Sequence, residues 1–171
     1  MPEKFKSRSH ALPEAAELIE FLQLARHPEG GWYRETWRSP VRIGERAAGS
    51  AIFFLLEAGQ RSQWHKVDAD EFWMWHAGSA LDLGVATEDE GDARLNVLGP
   101  GALAGEVPQL LVRAGDWQTA NAIRGWALVS CMVIPGFEFA GFTLASPQAA
   151  ADLDSKLRDR EPKRDHSTGI Y

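Results

Sequence analysis

With 171 residues and a formal net charge of −6, the chain has the size of one domain and the wrong sign for a nucleic-acid partner, which needs clustered Lys and Arg. Its single cysteine, Cys131, excludes an intramolecular disulfide and reads as a buried, inert thiol in the apolar run Leu128 to Ile134. No apolar run approaches the ~20 residues of a membrane span, and the N-terminus has no apolar signal core, so the expectation is a soluble, cytoplasmic protein without a membrane partner. A chain this long buries roughly two-thirds of its unfolded surface and needs no metal merely to fold.

Residues 1–12 are polar and read as an arm, 13–158 as one domain, and 159–171 as a charged tail. Pro13, Glu14 and Glu17 suit the start of a helix. Leu18, Phe21, Leu22 and Ala25 then recur on one helical face, and the helix is expected to stop before His27-Pro28. Gly30-Gly31 is a break. Trp32 to Arg38 alternates as a strand, with Arg34 and Glu35 on opposite faces; one of that pair faces a pocket or a dimer partner, the other solvent. Ser39 to Gly49 is a polar loop, and Ser50 to Glu57 is a strand-length apolar run.

Gln60 to Val67 and Glu71 to Ala77 read as neighbouring strands joined by the turn Asp68-Ala69-Asp70. Ala80 to Thr87 alternates and ends at the polar hairpin connection Glu88 to Asp92. Arg94 to Leu98, Gln109 to Arg113, Asp116 to Asn121, Gly125 to Ile134 and Phe137 to Ala145 complete about nine or ten short strands with turn signals roughly every 8–12 residues. Ser146 as N-cap and Pro147 at the first helical position open a second helix, striped by Leu153 and Leu157. The spacing predicts an all-β antiparallel sandwich or barrel bracketed by short N-terminal and C-terminal helices.

Strand parity then sorts the polar residues. Gln63, His65 and Val67 share one face of their segment. Glu71, Trp73 and Trp75 share a face of theirs, opposite Phe72, Met74 and His76. Gln118 and Ala120 oppose Trp117 and Thr119. His65 and Glu71 are therefore expected to converge inside the barrel, with His76 outside. His10, His27 and His166 fall in loop or tail and read as surface residues.

These residues carry a resemblance. The pattern Gly59-x5-His65-x-Val67-x3-Glu71-x6-Gly78 is similar to the first motif of the cupin superfamily, with Val67 where a second histidine is usual. Arg113-x-Gly115-x2-Gln118 resembles the second motif, with arginine for proline and glutamine for histidine. His27-Pro28-Glu29-Gly30-Gly31-Trp32-Tyr33-Arg34-Glu35, Ala51 to Leu56, Trp64-His65 and Pro135-Gly136-Phe137 resemble more narrowly the cupin 5, or DUF985, subfamily, over Leu18 to Ala145. Met74 and His76 depart from its pattern, since members often have His at the first of these positions and an aromatic at the second. The resemblance implies a double-stranded β-helix (jelly roll) with a pocket at one mouth, usually a homodimer.

Three chemistries fit such a pocket. A metal-binding cupin offers three His and one carboxylate; here the matching positions are His65, Val67, Glu71 and Gln118, too few strong donors for a tight site. No cofactor is expected, though a weakly held divalent metal at His65 and Glu71, with Gln118, stays open. Metal-free proton transfer by His65 and Glu71 would suit an isomerase or epimerase. The preferred expectation is binding of a small organic molecule, without a tightly bound metal, by Gln63, Trp73, Trp75, Gln118 and Arg34 around that pair, with Trp73 stacking on it.

Overall fold

The computed structural model describes residues 14–87 and 93–160. The elements are α1 (Ala15–Phe21), β1 (Ala25–Arg26), β2 (Trp32–Arg38), β3 (Ser50–Leu56), β4 (His65–Val67), β5 (Asp70–Gly78), β6 (Leu81–Ala86), β7 (Ala93–Leu98), β8 (Gln109–Val112), β9 (Trp117–Asn121), β10 (Ala127–Ile134), β11 (Phe142–Leu144) and α2 (Pro147–Arg160). The strands form a six-stranded sheet, β1-β2-β3-β10-β5-β8, and a five-stranded sheet, β11-β4-β9-β6-β7. The two make the expected jelly roll. The 1–12 arm, the 88–92 connection, His10, His166 and residues 161–171 lie outside the described residues.

Helix α1 starts on a reciprocal capping box between Glu14 and Glu17. It ends earlier than expected, because Gln23 turns left-handed at φ 54°. Two turns are too few to carry the expected stripe to Ala25, which lies in β1. Leu18 and Leu22 do pack, with Ile19, on Leu55 and Leu128, but Phe21 is 82% exposed. At the other end Ser146 Oγ accepts the Ala149 N–H at 3.2 Å, and Leu153 and Leu157 cover Trp64. The Trp64 indole N–H donates to Asp154 at 2.8 Å, which also pairs with Arg61.

Strand register fixes what faces inward. In the larger sheet β10 is central: Val133 lies between Ser50 and Glu71, Cys131 between Ile52 and Trp73, and Val129 between Phe54 and Trp75. In the smaller sheet His65 lies between Leu144 and Gln118. Toward one end the space is filled by Trp73, Leu81, Leu83, Leu98 and Val129. Full burial of each such side chain contributes on the order of 2 kcal/mol. Toward the other end it is not filled.

Candidate functional site

The unfilled end holds a cavity of about 350 Å³, within the range of small-molecule sites. β3, β4, β5 and β10 supply Ile52, His65, Val67, Glu71 and Cys131 to its floor and walls. Its remaining walls come from parts of the chain that strand reading did not bring here: His27 and Glu29 from the turn after β1, and Phe137, Phe139 and Phe142 from the segment leading into β11.

Glu29 enters because of two glycines. Gly30 and Gly31 have φ of 106° and 77°, open to glycine and strained for other residues. A Cβ on Gly30 would lie 2.9 Å from the Arg61 carbonyl, and one on Gly31 only 2.7 Å from Leu56. The turn therefore lies flat on the barrel and directs Glu29 inward, where it is 5% exposed. Its carbonyl accepts the Gln63 N–H at 2.7 Å, tying it to the residue before Trp64.

His65 is held at both ring nitrogens. Nδ1 is 2.8 Å from the Gln63 carbonyl. A carbonyl only accepts, so Nδ1 carries the proton. Nε2 is 3.1 Å from Glu29 Oε2. Burial lowers the imidazole to about 4, with the nearby His27 acting in the same direction. Burial, and then the charge of Glu71, raise Glu29 well above the carboxylate range. With the proton on Nδ1, Nε2 is an acceptor, and burial of both groups favours a neutral hydrogen bond from the Glu29 carboxyl to imidazole over an ion pair. His27, also lowered to about 4 by burial, packs edge-on against Tyr33 at 4.6 Å.

Glu71 is held by a relay from the filled core. The Trp73 indole N–H donates to Gln118 Oε1 at 2.8 Å. Because indole only donates, this fixes which way the Gln118 amide points. Gln118 Nε2 then donates to Glu71 Oε2 at 2.5 Å. Burial nevertheless pushes Glu71 up to about 7, against the opposing hydrogen bonds from Gln118 and Cys131. The Cys131 thiol is raised well above its ordinary value by burial, then by Glu71 and Glu29. It lines the cavity as a weak donor, consistent with the inert reading.

At the mouth, a register shift in β2 between Glu35 and Trp37 breaks alternation, as a bulge does. Glu35 and Arg38 consequently both line the cavity. Arg38 donates from Nη2 to Glu35 at 2.6 Å and from Nη1 to the Phe137 carbonyl at 3.1 Å.

The structure brings His65 and Glu71 to one cavity, but the carboxyl bonded to His65 is Glu29. None of Gln63, Trp73, Trp75, Gln118 and Arg34 lines the cavity. Gln63 precedes the strand, which begins only at His65, so its side chain is exposed while its backbone serves Glu29 and His65. Trp73 is fully buried beneath the cavity, with no face free for stacking. Trp75 is half-buried further along β5, away from the cavity, its N–H on the Ser79 carbonyl. Gln118 positions Glu71. Arg34 is on the outer face over Phe53, its buried Nε without a hydrogen-bond partner. His27, expected at the surface, is a wall of the cavity. Of the residues missed, Glu29 carried a signal in the glycine pair that follows it.

The positions that match the usual cupin ligands offer few free donors. Val67 has no lone pair, Gln118 Oε1 is taken by Trp73, and His65 Nε2 is taken by Glu29. Among the described residues no group of three or more His, Cys, Asp or Glu is arranged to hold an ion.

Protein SO0799 from Shewanella oneidensis is 38% identical over 86% of this chain and 99% of its own, with a TM-score of 0.76. A hypothetical protein from Leishmania major is 30% identical over 85% of this chain and 99% of its own, with a TM-score of 0.73. Rru_A2000 from Rhodospirillum rubrum, a cupin-2 domain, shares the fold at 14% identity over 77% of this chain and 80% of its own, with a TM-score of 0.55. No curated protein matches the chain. The family model described as Cupin superfamily (DUF985) matches residues 16–145, and the chain belongs to that family.

Proposed function

We propose that this protein binds a small organic molecule in the cavity around His65, Glu29 and Glu71, without a tightly bound metal. The observation that carries this reading is the cavity itself: about 350 Å³, walled by phenyl rings and floored by buried polar groups. Aromatic walls supply affinity and a few fixed polar groups supply orientation. The test is a thermal-shift screen of sugars, nucleobases, keto acids and aromatic amines, repeated on Ile52→Trp, which fills the cavity from β3. Ligands that raise the Tm of the wild type and not of the variant support the reading. A ligand that stabilises both equally binds elsewhere. Elemental analysis tests the metal clause, and stoichiometric Fe, Mn, Ni or Zn lost in His65→Ala would overturn it.

A second reading, isomerase or epimerase chemistry, draws on Glu71. A carboxyl at about 7 holds its proton half the time near neutrality, the condition for general acid–base work. The neutral His65–Glu29 pair beside it offers a second proton carrier. Deuterium incorporation from solvent into a bound ligand's C–H, absent in Glu71→Gln, is the expected signature.

The homodimer expectation is also kept as a proposal. Across the outer face of the larger sheet, Met132 lies between Ala51 and Phe72, and Phe72 beside Leu111. All four are only half-buried. Sedimentation of Phe72→Glu against wild type tests it, with a monomer expected for the variant.

A further inference from the structure

We infer that the ligand of this cavity carries a positively charged nitrogen on a flat, apolar body of one or two rings. This rests on the binding reading and adds the ligand's charge class.

The cavity sets the body and its lining sets the charge. Arg38 is the cavity's cationic side chain, and it is consumed: Nε and Nη2 bond Glu35, while Nη1 bonds the Phe137 carbonyl. Arg34, which an anionic ligand could have used, points the other way. The carboxyls of Glu29 and Glu71 line the same space at depth with no guanidinium or ammonium among the described residues set against them, while Glu138 at the mouth lies in the field of Arg38 and Arg46. Both imidazoles, His27 and His65, are neutral near pH 7, and Tyr33 and the Cys131 thiol add no charge.

An anionic ligand would therefore be desolvated among carboxyls with no counter-charge, the costliest way to bury it. A ligand ammonium reverses the balance. It supplies the missing counter-charge to Glu71 and Glu29, whose carboxyls burial otherwise shifts toward the protonated form. The faces of Phe137, Phe142 and Tyr33 are negative by their quadrupoles and favour a cation further. A bare metal ion is a poor occupant, since the donors it needs are already engaged and most of the wall is hydrocarbon. Cation binding should displace protons from the carboxyls, a consequence neutral ligands do not share.

The test uses the full chain and three isosteric probes: tryptamine, tryptophol and indolepropionate. Titration calorimetry at neutral pH is run in phosphate and in Tris, whose ionisation enthalpies differ. Tryptamine is expected to bind about tenfold more tightly than tryptophol, with indolepropionate weakest. The tryptamine heats should differ between buffers, reporting released protons. Glu71→Gln should bring amine and alcohol to within about threefold of each other. Glu138→Gln, at an exposed position where folding is not at stake, should narrow the ratio less. Equal or tighter binding of tryptophol or indolepropionate, or tryptamine binding without proton release, overturns the charge assignment and leaves the binding reading standing. If none of the three binds at millimolar concentration, and phenethylamine also fails, both readings fall.

Discussion

The two ends of the barrel are built on the same strands and behave differently. At the filled end Val129 and Trp73 pack in one cluster with Leu81, Leu83 and Ala120 of the other sheet, and Phe54 borders the cavity. Toward the other end, past Ile52 and Cys131, β3, β5 and β10 present Ser50, Glu71 and Val133, and across from them stand His65 and Val67. These side chains are smaller or polar, and the cavity lies among them. The difference teaches that this cavity is a packing choice made residue by residue, not a feature of backbone topology. It also shows how the ends are coupled. Trp73 belongs to the core, yet through Gln118 it sets the environment of Glu71.

The largest effect should come from breaking the filled end. Trp73→Ala should cost about 3–5 kcal/mol in urea denaturation, and it leaves Gln118 without its donor. Val133→Ala, which enlarges an existing cavity, should cost about 1 kcal/mol. Equal costs would erase the distinction between the two ends.

The open end should show itself through pH. Glu71 is raised from 4.5 to about 7 in the folded state, so its contribution to stability is complete below 4.5 and lost as pH rises through 7. Glu71→Gln should therefore lose on the order of 2–3 kcal/mol less than wild type over that interval. His65 is lowered from 6.5 to about 4. For a base the sign reverses: stability is complete above 6.5 and declines as pH falls toward 4, because the unfolded chain takes the proton and the native one does not. His65→Gln should flatten that acid-side loss by on the order of 2 kcal/mol, with the remainder due to His27. Unfolding free energies measured across pH for the three proteins separate these slopes.

The smallest change in stability, under about 0.5 kcal/mol, is expected for Phe139→Ala, since that ring is 61% exposed at the mouth. Its ligand affinity should still fall severalfold. A variant that binds as tightly as wild type would remove Phe139 from the site.

Most of the fold was legible because it is local. Alternation in β5 put Glu71 and Trp73 on the inner face and His76 outside, where its ring meets Ser130 at 2.6 Å. The N-cap at Ser146 and the Leu153–Leu157 stripe were equally readable. The misreadings occurred where alternation stopped. The expected strand from Gln60 is irregular until His65, which turned Gln63 outward, and the bulge in β2 placed Glu35 and Arg38 side by side.

By itself, the sequence determined the antiparallel β architecture, the family through its motifs, and the inward direction of His65 and Glu71, which the structure sets on facing sheets rather than on paired neighbouring strands. The strands and their faces follow from side-chain period and turn chemistry, which neighbours along the chain decide, and the family from its motifs. Only the tertiary structure decided that Glu29 bonds His65, that Trp73 seals the cavity rather than lining it, and that Arg38 is already spent on Glu35 and Phe137. Each of these is a choice of partner across space, set by which turn lies flat on the barrel and which side chains fill it. No local pattern encodes that competition.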